Sequence, residues 1–570
     1  MGEKSVPQAF AATVAARPDA VALRAGTGPH TSPLTWADYA DRACRVAAGL
    51  SALGLRPGDR VALMLRNRPE FHVADMGVLL AGGTPVSIYN SSPPHRIAHV
   101  AGHAEARLAI VEEPFADRVQ RARLLLPGLD TVLSVDSGGD LPFAALLDAA
   151  PVDLEAAAAA VGPEDLLTVI YTSGTTGDPK GVMLTHSNLT FAVDTYRTVL
   201  GRSLEGLRQV SFLPMAHIAE RLATHYFHVC EGSDVTTCAD LADLVPTMGA
   251  VQPEWFFSAP RLWEKLQRAI EAMVATDAAR SEDFAAARAL GWRAFLAERD
   301  AGGCDPGLAA EWAEARRRHV APLLEKVGLG HVLIALTGAA PIARSTSEFF
   351  LSLGLPLSEV WGMSETSGLG TWSPHRIVPG TTGRPVPGVD IRLGAADEIL
   401  LRGPCVFGGY LNDPDSTAEA LDADGWLHTG DVGRFDAEGN LSIVDRLKDI
   451  IVPSSGHNVS PARLEARLRE CPLVAQACVV GDGRPHVAAL IVPHPELLDA
   501  CDEPAFRSEI AAFVAALNDT LPPAERIIAF EILAEEWLPD SDVLTPTAKV
   551  KRRTVIRRYA AVIDALYARA

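Results

Sequence analysis

Apolar residues come in blocks rather than singly along residues 60–90. RVALMLRN, PEFHVADMGVLLAGG and TPVSIYN read as strand, helix and strand. That order predicts parallel strands joined by a crossover helix. A second short apolar run, LLTVIY, begins at Leu166 and ends at Tyr171, where glycines and hydroxyl residues take over. After them, THSNLTFAVDTYRTVL sets Leu189, Ala192, Tyr196 and Val199 at helical spacing, with Thr185 or Ser187 as cap. The intervening loop is therefore expected between a strand end and a helix start, where backbone N–H groups can meet an anion.

Residues 264–328 are rich in Ala, Arg and Glu and predict a helical insertion whose charges face water. From about Ile377 to Val444 the chain turns glycine-rich, and DIRLG, EILLRG and LSIV predict a small β-barrel or β-subdomain. CVVGDGRPHVAALIVP predicts a hairpin around Gly481-Asp482-Gly483, flanked by amphipathic helices. The expected fold is α/β and multidomain. Residues 1–447 form a large N-terminal domain of two α/β subdomains plus the β-barrel, and 448–570 a small α+β C-terminal domain.

Composition narrows this picture. A chain of 570 residues is too long for one core, and 48% hydrophobic with 21% charged residues describes a globular protein. The formal charge of -20 repels nucleic acid, so an anionic ligand needs a local site. Eight cysteines are scattered without a C-x-x-C, which favours reduced thiols over disulfides or zinc. No secretory signal and no bilayer-spanning apolar run are visible; the expected location is cytoplasmic, with peripheral membrane contact left open.

Candidate chemistry centres on YTSGTTGDPKGVM (171–183). Walker A spacing is absent, because Lys180 stands three residues after Gly177 and a glycine follows it. Contiguous glycines, hydroxyls and a terminal lysine still suit a triphosphate tail. Ser364 and Glu365 in WGMSETSG pair a phosphate-binding hydroxyl with a carboxylate suited to Mg²⁺. Asp431 and Arg446 lie in LHTGDVGRFDAEGNLSIVDRLKD, His217 in LPMAHIAER, and Lys549 in TPTAKVKRR near the C-terminus. LTGAAPI (336–342) offers small residues on which a flat base could lie. Singly each has a bland reading: Asp431 caps a turn, His217 fills a core, Glu365 opens a helix, Lys549 belongs to a solvated basic run. As an ordered set in one chain they outweigh those readings.

That set resembles the adenylate-forming superfamily of acyl-CoA synthetases, adenylation domains and luciferases, along residues 10 to 560. LPMAHIAER, PEWFFSAPRLWEKL and TPTAKVKRR are similar to its long-chain fatty acyl-CoA synthetase branch. The resemblance implies an acid–thiol ligase that uses ATP, Mg²⁺ and CoA to make acyl-AMP and then a thioester. A carrier-protein thiol as acceptor, or an aryl acid as substrate, are the alternatives. It implies that Thr172, Ser173, Gly174, Thr175, Thr176, Gly177 and Lys180 embrace the β- and γ-phosphates. Gly338, Ala339 and Ala340 would line adenine, with Trp361 and Gly362 beside it. Ser364 would meet the α-phosphate, Glu365 would hold Mg²⁺, Asp431 the ribose with Arg446 near, and His217 the acyl carboxylate. Lys549 would bridge carboxylate and α-phosphate. Lys448 would be the hinge of a mobile C-terminal domain, and Gly456 would line the pantetheine path. Trp361 and Ser364 depart from the family's usual Tyr and Thr, keeping a flat face and a hydroxyl. Lys551 competes with Lys549, and a K-x-x-R match to Arg552 favours Lys549.

Overall fold

Arg60–Met64, Pro69–Leu80 and Thr84–Ser87 form the strand, helix and strand that the apolar blocks predict, and the two strands run parallel. Every residue from Phe71 to Leu80 is buried, so this helix lies between layers rather than on a surface. The computed structural model describes residues 4–26, 33–172, 179–454, 456–494, 497, 503–538, 541–545 and 549–569. Within them the two strands extend through Leu108–Val111, Thr131–Ser134 and Leu141–Pro142 into a five-stranded parallel sheet. A second sheet joins Arg208–Ser211, Asp234–Thr237, Val21–Ala25 and Leu34–Thr35. A third, of three parallel strands, holds Trp255–Ser258, Ile334–Thr337 and Leu357–Glu359.

The predicted helical insertion is the crossover between the first two strands of that third sheet. Its first helix, Pro260–Val274, buries Trp263, Leu266, Ile270 and Val274 along one face at helical spacing. Ala278–Ala301, Pro306–Ala315 and Ala321–Lys326 follow. Residues 390–446 contain a four-stranded antiparallel sheet. Past it, Val474–Val480 and Val487–Pro493 make the expected hairpin, and Ile527–Ile532 adds a parallel third strand. Two apolar clusters, drawn wholly from residues between Ile451 and Tyr567, give this last region cores of its own.

One expectation is overturned. The loop that starts after Tyr171 does not lead into a helix. Lys180–Thr185 is a strand antiparallel to Leu166–Thr172, with Tyr171 opposite Gly181 and Thr172 opposite Lys180. Val182 and Leu184 point inward at zero exposure while Met183 between them stays half-exposed, the period of two that pairing selects. Gly181 allows close approach, since a Cβ there would lie 2.8 Å from Val169 Cγ1. The helix His186–Leu200 begins only afterwards, with Thr185 capping it and Asn188 closing the capping box. The loop therefore joins the two strands of a hairpin. Ser173, Gly174, Thr175, Thr176 and Gly177 lie outside the described residues.

Candidate active site

The parallel strands Ile334–Thr337 and Leu357–Glu359 open their carboxyl ends on one side, the usual position for ligands in such sheets. Gly338 follows the first strand, and a Cβ there would come 2.9 Å from the Val360 carbonyl oxygen. Ala339 has φ 66°, a left-handed conformation that costs a residue with a side chain and is found where structure enforces it. Ala340 is exposed beside it. From the second strand the chain runs through Trp361 into a tight loop. Gly362 is required there, because a Cβ would sit 2.4 Å from Gly368 C. Ser364 and Glu365 form the first turn of that loop, both nearly inaccessible.

Glu365 accepts a 2.8 Å hydrogen bond from the Tyr410 hydroxyl. Burial raises its pKa, and the charge of Arg446 only partly opposes this. Among the described residues no lysine or arginine forms an ion pair with it. Lys180 meets the same tyrosine from above: its Nζ lies 5.1 Å from the Tyr410 ring centre and donates to Ser416 Oγ at 2.5 Å. The segment carrying Tyr410 is strapped to the hairpin by Met183 N–H to Gly409 O (3.1 Å) and Leu411 N–H to Gly181 O (2.8 Å). Neither Tyr410 nor Ser416 is foreshadowed by any motif.

Asp431 joins two other predicted residues. It stands opposite Arg446 on paired strands, ion-paired at 2.7 Å, and its other oxygen accepts the Trp361 indole N–H at 2.8 Å. It is thus no turn cap. Lys549 lies close enough to this pair to feel both charges. Desolvation lowers its pKa to about 8; Arg446 pushes the same way and Asp431 opposes. Lys551, its rival, donates instead to Ser541 O within the C-terminal region, and Arg552 is ion-paired with Glu465 there.

His217 also feels Lys549. Desolvation first, and then that lysine's charge, hold its pKa at about 4. Its Nδ1 accepts the Ala219 N–H, so the neutral ring carries its proton on Nε2. The residues after it build the support. Arg221, fully buried, ion-pairs with Asp75 at 2.6 Å and donates to Met215 O at 3.2 Å, pinning the approach to His217. Glu220 accepts from Ser211 Oγ at 2.6 Å, and desolvation pushes its pKa up to about 8. Both lie inside LPMAHIAER, where their charge at core positions was the available signal. Gly456 occupies a turn of the C-terminal region with φ 76° and, among the described residues, makes no bond to the cluster.

Glu365, a buried carboxylate that no described lysine or arginine ion-pairs with, is an oxygen donor of the kind Mg²⁺ takes.

Comparison with known proteins concerns the chain as a whole. The AMP-binding enzyme model matches residues 10–411, and the AMP-binding enzyme C-terminal domain model matches 448–570. The long-chain-fatty-acid–CoA ligase FadD15 of Mycobacterium tuberculosis is 35% identical, over 94% of this chain and 92% of its own. The long-chain-fatty-acid–CoA ligase ACSBG2 of Gallus gallus is 30% identical, over 99% of this chain and 81% of its own. Among solved structures, an anthranilate CoA ligase in complex with anthranoyl-AMP aligns with a TM-score of 0.77 at 21% identity, covering 99% of both chains.

Proposed function

The chain belongs to the AMP-binding enzyme family, and from that premise we propose that it joins a medium- or long-chain fatty acid to CoA in two steps. In the first, a carboxylate oxygen attacks the α-phosphorus of ATP, the bond to the β-phosphate bridge breaks, and pyrophosphate leaves. In the second, the CoA sulfur attacks the acyl carbon, and the C–O bond to AMP breaks. The long-chain ligases named above support the acyl class, at identities that extend over most of the chain.

The observation that carries the reading is convergence. Lys180, His217, Glu365, Asp431, Arg446 and Lys549 are spread over 370 positions of sequence, counted inclusively from 180 to 549, yet contacts and charge interactions link them, Lys180 and Glu365 through Tyr410. Two anions must meet there, so positive charge fixed in advance is the main catalytic need. Lys180 would hold the departing phosphates, together with Thr172 and the loop up to Gly177. Lys549 would bridge the carboxylate and α-phosphate, and His217 Nε2–H would orient the acid. Asp431 would accept the ribose hydroxyls, Arg446 holding it in place, while Gly338 to Ala340, Trp361 and Gly362 would pack the base. Ser364 would donate to the α-phosphate. Mg²⁺, held by Glu365 and the phosphates, would neutralise charge on the leaving group. Lys448 would serve as hinge between residues 1–447 and 448–570, turning Lys549 away so that CoA can enter past Gly456.

The decisive experiment supplies a fatty acid labelled with ¹⁸O in its carboxyl group. One label should appear in AMP, with pyrophosphate as co-product and acyl-CoA as the final thioester. AMP free of label, or ADP as product, would refute the reading. A thioester formed only on a carrier protein, or only from aryl acids, would redirect it to those alternatives.

A further inference from the structure

The helix Pro94–His103 belongs to the parallel-sheet region and carries none of the residues assigned above, yet it reaches both stems of the phosphate-loop hairpin. His99 Nε2–H donates to the Pro179 carbonyl at 3.3 Å, just before Lys180. His103 Nδ1 shares a 2.9 Å hydrogen bond with the Tyr171 hydroxyl, just before Thr172 on the opposite strand. The two imidazoles stack, centroids 5.8 Å apart and planes 18° from parallel. The same helix end touches the segment that grips the lysine from its far side. Asn412 Nδ2–H lies 3.5 Å from the His103 carbonyl, Asp413 caps the Ser416 N–H at 3.0 Å, and Ser416 Oγ accepts from Lys180.

A hairpin end is where strand pairing frays most readily. Thr172 and Lys180 form its last described pair. Two bonds to a separate, sheet-packed helix brace it at both stems. We infer that His99 and His103 are positioning residues for Lys180: the stacked pair fixes the hairpin stems and thereby the point at which the ammonium meets phosphate. The inference rests on the adenylation reading, in which Lys180 grips the leaving phosphates. It adds residues that touch neither nucleotide nor acid and act through backbone and Tyr171.

The test measures two half-reactions on the full-length protein, alongside equilibrium binding of ATP. His99→Ala and His103→Ala should each weaken ATP binding and raise the KM for ATP by roughly three- to ten-fold, the scale of one lost hydrogen bond. Thioester formation from supplied acyl-AMP should be unchanged, because no phosphate leaves in that step. His99→Gln keeps a donor where Nε2 stands and His103→Asn keeps a polar group where Nδ1 stands, so both should restore affinity. Tyr171→Phe should reproduce the His103→Ala effect, and combining the two should add nothing further. His95→Gln, exposed on the same helix, should change neither half-reaction. Unaltered ATP affinity in both alanine variants would overturn the inference, as would an equal loss in the two half-reactions, which marks general damage. If the unaltered protein binds ATP but forms no acyl-AMP, the adenylation reading fails, and ATP affinity of the variants still decides the role of the histidines.

Discussion

Raising the pH should silence the first half-reaction before the second, and the structure says where. Lys549 must be charged to bridge two anions, and desolvation aided by Arg446 holds its pKa at about 8, well under the usual lysine value. The charged fraction is then about nine-tenths at pH 7 and about one-tenth at pH 9. Acyl-dependent ATP–pyrophosphate exchange should therefore fall roughly ten-fold for each unit above pH 8. His217, already neutral from its pKa of about 4, contributes nothing to that limb. Lys549→Arg should remove the alkaline limb, since guanidinium stays charged throughout, although its fork fits a site shaped for ammonium less well. Lys549→Ala should lower exchange by about 10²–10³-fold and leave it flat with pH. Thioester formation from supplied acyl-AMP should survive in both variants. An alkaline limb of unchanged midpoint in Lys549→Ala would refute the assignment, as would exchange still rising above pH 9.

Three other outcomes follow from the contacts. Asp431→Asn weakens the ion pair with Arg446 and the acceptor for Trp361, so the KM for ATP should rise about ten-fold or more while acyl-AMP handling of CoA changes less; steady-state kinetics against each substrate checks this. Asp75→Asn leaves the wholly buried Arg221 without its counter-charge and should cost about 3–5 kcal/mol in urea unfolding, part of it regained when Arg221→Met is added. Glu220 has its folded pKa raised to about 8, so it stabilises below the unfolded carboxylate pKa and loses that contribution as pH climbs through about 8. Glu220→Gln should cost little at neutral pH and flatten the decline in thermal stability between about pH 5 and 8.

The fold was legible where burial has a simple period. Phe71 to Leu80 reads as a helix because apolar residues dominate it, His72 and Asp75 excepted, and Leu189, Ala192 and Tyr196 mark the buried face of His186–Leu200. The hairpin strand Lys180–Thr185 was not legible. Its short apolar stretch GVML does not separate a strand from the tail of a loop, and cross-strand pairing with Leu166–Thr172 decides the matter. Candidate site residues could be read from chemistry-bearing motifs, and Asp431, Arg446, Trp361, Glu365, Lys180, His217 and Lys549 do gather. Tyr410 and Ser416 could not, because a tyrosine and a serine some 230 positions beyond Lys180 look like any others until the chain folds them against it. His99 and His103 are similar cases: single histidines whose meaning comes only from what stands beside them.

The separate cores of the C-terminal region bear on how the lysine is supplied. Because Ile451 to Tyr567 packs its own interior, the proposed hinge motion would carry Lys549 away and back without opening that interior. On that proposal Lys549 would act as a tethered reagent, its effective concentration set by the few linking residues around Lys448. Lengthening that tether with glycine and serine should dilute the lysine without altering a single contact in the nucleotide pocket, tuning one half-reaction by polymer length alone.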